Sequence, residues 1–166
     1  MTVPFRVGQG LDVHAFSDDP DRPLVLGGVV VPGGPGLAGH SDADVVLHAI
    51  VDALLGAAGL GDIGSRFGSA RPEYARADSS VFVREALRLL AAGGWSIGNV
   101  DCSLVAARPR LAQHREAMLV RVAGLLGVEP AQASVKATTT DGLGWTGRGE
   151  GIACLAVVLL SRDPVR

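Results

Sequence analysis

The sequence predicts an α/β fold: a single mixed β-sheet with helices packed on one face. Two observations carry this. Several segments alternate apolar and polar residues or run apolar for strand lengths, while three others place apolar residues at the helical period. Their order is strand, hairpin, helix, helix, strand, helix, strand, strand, which suits one sheet covered by helices. The 166 residues suit one domain spanning 1–166, and with 48% hydrophobic residues but only 4% aromatics the core has to be built from Val, Leu, Ile and Ala.

The elements follow in order. Residues 3–10 read as a strand leading into Asp12-Val13-His14. Residues 23–31 read as two short strands about Gly27-Gly28, a hairpin signal. Residues 32–39 form a Gly/Pro loop. A helix starts at Asp42 or Ala43 and runs to Ala58, with Val45, Val46, Ala49, Ile50, Ala53 and Leu54 on the helical period. Residues 59–77 are irregular and polar, long enough for a functional loop. Asp78 or Ser79 caps a second helix that reaches Ala92 and stops at Gly93-Gly94. A strand over 97–107, a helix over 111–126 stopped at Gly127, and strands over 134–140 and 152–161 complete the chain. The last strand, Ala153 to Leu160, is apolar on both faces. Either its second face is buried against another copy of the chain, or loops cover a central strand.

Charge and cysteine content exclude several classes. A net charge of -2 provides no basic field for nucleic acid. No apolar run reaches the ~18–20 residues of a membrane span, and the N-terminus lacks an apolar signal core, so a cytoplasmic protein with no membrane contact is expected. Cys102 and Cys154 do not make a disulfide scaffold and read as buried thiols.

Asp12 and His14 lie two apart, which in a strand puts both side chains on one face. With His48 from the first helix they form a set of two imidazoles and a carboxylate with one position open, the pattern of a catalytic zinc site. Asp44 and Asp52 share the helix face of His48, and an acidic neighbour there can accept a hydrogen bond from the ring nitrogen turned away from the metal. Just ahead of this helix, His40 and Ser41 lie where free N–H groups favour phosphate, although Ser41 or Asp42 also reads as a plain N-cap. Residues 136–151 combine Thr138-Thr139-Thr140, Asp141 and five glycines. Such hydroxyls and exposed amides suit phosphate, and Asp141 suits Mg²⁺; a Gly-rich hairpin is the plainer reading.

These motifs, in this order, resemble the 2-C-methyl-D-erythritol 2,4-cyclodiphosphate synthases. They are Asp12-Val13-His14, His40-Ser41-Asp42-Ala43-Asp44-Val45-Val46-Leu47-His48, Gly61-Asp62-Ile63-Gly64, Thr138-Thr139-Thr140-Asp141 and Thr146-Gly147-Arg148-Gly149-Glu150-Gly151. The resemblance spans nearly the whole chain. It implies a homotrimer whose sheets enclose a central channel, with active sites at the subunit interfaces. The implied reaction converts 4-diphosphocytidyl-2-C-methyl-D-erythritol 2-phosphate to the cyclic diphosphate: the 2-phosphate attacks the β-phosphorus and CMP leaves. Asp12, His14 and His48 would hold Zn²⁺, and Asp141 would touch Mg²⁺ or Mn²⁺. His40, Ser41, Thr139 and Asp141 form the implied catalytic set. Asp62 and Gly64 would bind erythritol hydroxyls, and Ala106 to Ala112 the cytidine, with Pro109, Arg110 and Leu111 in that pocket. Thr138 and Thr139 would take phosphate, and Trp145 and Arg148 complete the implied substrate-binding set.

The chain departs from relatives in four places. Residues 67–72 lack the acidic residues common there, Asp141 replaces a frequent Glu, Trp145 a frequent Phe, and Leu155 stands where some relatives have Glu near the channel. Some relatives hold an isoprenoid diphosphate in that channel; here Arg148 remains but Leu155 removes a carboxylate, so the resemblance leaves this partner open. Two competing functions are an isoprenoid-diphosphate-binding trimer with structural zinc and a zinc phosphoesterase that activates water.

Overall fold

The structure, a computed structural model, describes residues 4–68 and 72–162. Its main sheet has four strands in the order β1 (Phe5–Ala15), β6 (Gly151–Ser161), β4 (Ser96–Val105), β5 (Ala133–Thr138). β6 runs antiparallel to both β1 and β4, and β4 and β5 are parallel, so the sheet is mixed as expected. A separate two-stranded hairpin joins β2 (Val25–Leu26) to β3 (Val29–Val30). The helices are α1 (Val45–Ala58), α2 (Ile63–Phe67), α3 (Ser80–Ala92), α4 (Arg115–Leu126) and α5 (Gly144–Gly147). α1 packs on β1 and β6, α4 on β5, and α3 on both helices. No helix is long and apolar enough to cross a membrane among the described residues.

Most elements fall where the apolar pattern puts them, and the differences have local causes. α1 begins at Val45 because Ala43 holds a left-handed φ of 56° and Asp44, not Ser41 or Asp42, is the N-cap. The helix ends on Gly59, as expected. α4 starts at Arg115 because residues 112–114 form a 3-10 turn. α2 lies inside the stretch read as irregular, and α5 inside the stretch whose plainer reading was a hairpin. The 67–72 departure keeps Phe67, Gly68 and Pro72 in view, while Ser69, Ala70 and Arg71 lie outside the described residues.

α1 is buried almost all round, with ten of its residues in the core. Such a helix needs cover on every side, which the sheet and α3 supply. Its contact with β1 is unusually close. A Cβ at Gly8 would sit 1.9 Å from the Ala53 carbonyl oxygen, and one at Gly10 would sit 2.0 Å from that of Ala49. Four helical residues rise about 6 Å, and two strand residues about 6.7 Å. The 53/49 spacing on the helix therefore matches the 8/10 spacing on the strand. Continuing that match carries Asp12 and His14 toward the N-terminal turns of α1.

The hairpin is tied to the same helix end. Gly27 and Gly28 both hold positive φ, 60° and 72°, as a two-residue turn with the twist of a hairpin requires. Their amides donate to the two carboxylate oxygens of Asp44 at 2.8 and 2.6 Å. The same carboxylate caps Val46 and Leu47 at 3.0 and 3.1 Å.

The sheet face away from the helices stays open on this chain. Val7, Leu11, Val13, Leu155 and Val157 are exposed there, and Leu11 pairs with Leu155 across the β1–β6 ladder. Both cysteines instead face the helices and are buried thiols, as expected.

Gly10→Ala should therefore cost about 3 kcal/mol or more, because the clash is with helix backbone and not with a movable side chain. Gly124→Ala on α4 meets nothing within 4 Å. It should stabilise by about 0.5–1 kcal/mol through helix propensity. Urea denaturation of the two variants beside the parent checks this, with opposite signs expected.

Candidate metal centre

Strand geometry and helix position together build the site. Asp12 and His14 project from the helix-facing side of β1, and His48 comes down from the first turn of α1. Asp12 Oδ2 lies 3.0 Å from both His14 Nε2 and His48 Nδ1, and the two nitrogens are 3.3 Å apart. Ligand atoms bonded at about 2.0–2.1 Å to a tetrahedral zinc ion stand about 3.3 Å from one another. The three atoms already have nearly that separation, and among the described residues they form a group able to hold a metal ion.

Both rings are held by their outer nitrogens. His14 Nδ1 donates to the Ala38 carbonyl at 2.6 Å, which leaves Nε2 turned toward Asp12. His48 Nε2 faces Ser79 Oγ at 2.8 Å and Ser41 Oγ at 3.2 Å, which turns Nδ1 toward Asp12. Bonds of this kind select which nitrogen can bind a metal.

The acidic residues expected to orient His48 do other work. Asp44 is the cap and hairpin anchor described above, and Asp52 accepts from the Ile63 amide at 2.7 Å. Burial pushes the Asp44 carboxyl up to about 6, with the nearby Asp42 charge adding to the rise and the amides of Gly28, Leu47 and Gly27 opposing it. The oxygen that His48 Nε2 meets belongs to Ser79, which sequence reasoning took only for a helix cap. Its hydroxyl makes no cap bond in α3.

Burial alone would raise the Asp12 carboxyl, yet the hydrogen bonds and charge that His14 and His48 bring when their rings are protonated hold it well below the usual carboxylate range. Burial would lower His14, and the hydrogen bond and charge of Asp12, helped by the Ala38 carbonyl, raise it above the ordinary histidine value.

A cavity of about 220 Å³ opens over the triad, lined also by His40, Ser41, Ile63, Gly64, Phe67, Gly68, Tyr74 and Phe82. Phe67, Tyr74 and Phe82 form a mutually packed aromatic wall, with centroids 5.0 to 6.1 Å apart. Phe82 also meets the His48 ring at 5.9 Å. These three aromatics were missed by sequence reasoning. Their scarcity was the available signal: the chain has only four Phe and one Tyr. Asp62 does not line this cavity, and its side chain caps α2 by accepting from the Ser65 amide at 2.7 Å.

A second cavity, of about 330 Å³, is lined by Ala106, Ala107, Pro109, Arg110, Leu111, Ala112, Arg115, Ala137, Thr138 and Thr139. Arg115 adds a guanidinium not foreseen from the sequence. Asp141, Trp145 and Arg148 line neither of these cavities. Asp141 holds a left-handed φ of 51° and exchanges hydrogen bonds with Thr139, its Oδ1 accepting from the threonine hydroxyl at 3.1 Å. Trp145 is part-exposed on α5, and Arg148 pairs with Glu150 at 2.5 Å.

A mixed-sheet α/β scaffold carrying two imidazoles and a carboxylate beside a cavity is the arrangement of a candidate metal centre. Over residues 5–161 the chain matches the model of the YgbB family. It is 54% identical over 162 residues to the 2-C-methyl-D-erythritol 2,4-cyclodiphosphate synthase of Azoarcus sp. (strain BH72), covering 98% of this chain and 99% of that one. It is 56% identical over 155 residues to the synthase of Moorella thermoacetica, covering 93% and 94%. Among solved structures, the Plasmodium falciparum IspF CDP complex matches with a TM-score of 0.85 at 34% identity, covering 99% of this chain and 100% of that chain. The bifunctional IspDF of Campylobacter jejuni matches with a TM-score of 0.90 at 38% identity; 96% of this chain is covered, and it spans 42% of the length of that larger chain. The chain belongs to the YgbB family of 2-C-methyl-D-erythritol 2,4-cyclodiphosphate synthases, lyases of isoprenoid biosynthesis.

Metal binding requires His14 without a proton on Nε2. A raised His14 pKa keeps that proton to higher pH, so protons compete with metal near neutrality. Affinity for a divalent metal should fall steadily from about pH 8 to about pH 6. A chelator-competition titration across that range checks it, and a flat profile would contradict the assignment of His14 as a ligand.

Proposed function

We propose that this chain converts 4-diphosphocytidyl-2-C-methyl-D-erythritol 2-phosphate to 2-C-methyl-D-erythritol 2,4-cyclodiphosphate with release of CMP. The observation that carries the proposal is the Asp12–His14–His48 triad, pre-set at metal-ligand spacing beside an aromatic-walled cavity. Family membership supplies the reaction, and the CDP complex of the Plasmodium relative supports a cytidine diphosphate in the ligand.

The chemistry asks little covalent work of the protein. Two anionic groups of one substrate have to be brought together and their charge neutralised. Zn²⁺ on Asp12, His14 and His48, and Mg²⁺ or Mn²⁺ on Asp141, would supply positive charge to the phosphate oxygens when bound. His40 and Ser41 line the first cavity, where they would position a phosphate and the erythritol backbone. Ile63 and Gly64 offer wall and backbone to the erythritol, and Asp62 would reach its hydroxyls from the edge. The small residues Ala106 and Ala107, with Pro109 and Leu111, leave room for a flat base, and Arg110 stands beside them. Thr138 and Thr139 line the same cavity, and their hydroxyls, which here donate to the Thr139 carbonyl and to Asp141, would turn to a bound phosphate. Trp145 and Arg148 are assigned to substrate by family position alone.

The two cavities share no lining residue. This supports a homotrimer in which one subunit's metal cavity meets a neighbour's cytidine cavity. The open apolar face of β1 and β6 supports the same assembly, since Leu11, Leu155 and Val157 would line or flank a central channel able to take an isoprenoid diphosphate. All of residues 1–166 would act as one synthase domain.

Incubation with the diphosphocytidyl substrate, Zn²⁺ and Mg²⁺, followed by ³¹P NMR, tests the reaction. CMP and a cyclic diphosphate should appear together and in equal amounts. Orthophosphate without cyclic product would instead identify a phosphoesterase, and tight isoprenoid diphosphate binding without turnover a carrier. Light scattering should report three times the chain mass of 17.0 kDa. A fully active monomer would end the shared-site reading.

A further inference from the structure

The polarity of the hydrogen bonds behind His48 can be followed to its source. Asp42 Oδ2 accepts from the Ser79 amide at 3.0 Å, and Oδ1 from the Asp44 amide at 3.2 Å. Amides only donate, so both oxygens of Asp42 are set as acceptors. The Ser79 hydroxyl also donates to Oδ1. A serine hydroxyl has one proton, and here it goes to the carboxylate. Ser79 Oγ is then left with lone pairs only, and one faces His48 Nε2 at 2.8 Å. That nitrogen must carry a hydrogen for the contact to be attractive. In a neutral ring the lone pair then lies on Nδ1, the atom that meets Asp12 and His14.

We infer that Asp42 and Ser79 form a positioning relay that fixes His48 in the tautomer able to bind metal through Nδ1. The inference rests on the metal reading of the triad and extends it by two residues that line neither of the two cavities described above.

The relay answers a competition within the site. Asp12 Oδ2 is itself an acceptor 3.0 Å from His48 Nδ1. Without an opposing partner it would draw the ring proton onto Nδ1 and block the ligand atom. Ser41 Oγ, 3.2 Å from His48 Nε2, cannot substitute for Ser79. It accepts from the Ala43 amide, and its proton can go either to Ser79 Oγ at 3.4 Å or to His48 Nε2, so it imposes no fixed direction. Ser79 is fully buried, and its placement costs α3 a side-chain cap. Asp78 caps the Ser80 amide at 2.8 Å in its place.

Because Ser79 Oγ does not cap α3, Ser79→Ala should fold, and near-UV circular dichroism confirms it. Two readouts on the full chain then decide the relay. Zinc affinity, measured by chelator competition, should fall roughly 10- to 100-fold in Ser79→Ala, the usual effect of losing the partner behind a ligating histidine. Imidazole ¹⁵N shifts of the metal-free protein should show the neutral His48 ring protonated on Nε2 in the parent and shifted toward Nδ1 protonation in Ser79→Ala. Ser79→Thr, which keeps the hydroxyl, should restore both. Unchanged zinc affinity in folded Ser79→Ala overturns the relay, as does a parent ring protonated on Nδ1. If the parent itself binds no zinc, the metal reading fails, and the ¹⁵N shifts still decide the relay separately.

Discussion

The close approach of α1 to β1 is the contact on which the rest depends. Gly8 and Gly10 place no strand side chain against the helix at two successive helix-facing positions of β1. The helix therefore rests on the strand in one translational register. That register sets the height of His48 above Asp12 and His14, two and four residues beyond Gly10 on the same face of the strand. Metal-ligand spacing tolerates errors of only a few tenths of an ångström. Side-chain packing between larger residues could settle in neighbouring arrangements, whereas backbone in contact with backbone cannot slide without a clash.

Around that contact, carboxylates are used chiefly to capture amides. Asp44 joins the hairpin to the helix start, Asp52 holds the first turn of α2, and Asp42 holds the start of α3. Each fixes a segment that lines or backs the cavity. Asp12 is the carboxylate whose neighbours are imidazoles. One residue type thus serves two ends, and what separates them is whether the nearby N–H groups belong to the main chain or to a ring able to release its proton.

The sequence made some of this legible and hid the rest for physical reasons. The period-two placement of Asp12 and His14 survives folding because strand alternation is local. The helical span of α1 is legible for the same reason, apart from its first turn, where the left-handed Ala43 breaks a helix that propensity would have extended. That His48 meets Asp12 depends on a tertiary contact 36 residues apart in the chain; the residue types offered His48 as a third ligand, but spacing alone could not show the contact, and the family's motif order added the support. Ser79 was hidden because its position, ahead of an apolar run, is also that of an N-cap. Asp44 and Asp52 misled because helical spacing puts them on the His48 face but does not show what else lies there. α2 and α5 have five and four residues, too few to show a period.

A net charge of -2 sits beside a proposed substrate that is strongly anionic, and the structure shows how the two are compatible. Long-range charge is screened beyond about 8 Å at physiological ionic strength, so the balance of the whole chain matters little at the reacting phosphates. What matters is the set of groups within a few ångströms. In the first cavity that set is a metal-ready triad with His40 and Ser41 beside it. In the second it is Arg110 and Arg115 flanking two threonines. Each cavity alone offers one kind of counter-charge, a metal site or a pair of guanidiniums. A substrate with a diphosphate between its sugar alcohol and its base would need both at once. The cavities have no lining residue in common, and the face of β1 and β6 opposite the helices is apolar and open. Bringing copies of the chain together would cover that face and complete the charge complement, so under the proposed reading the hydrophobic and the electrostatic requirements favour the same assembly.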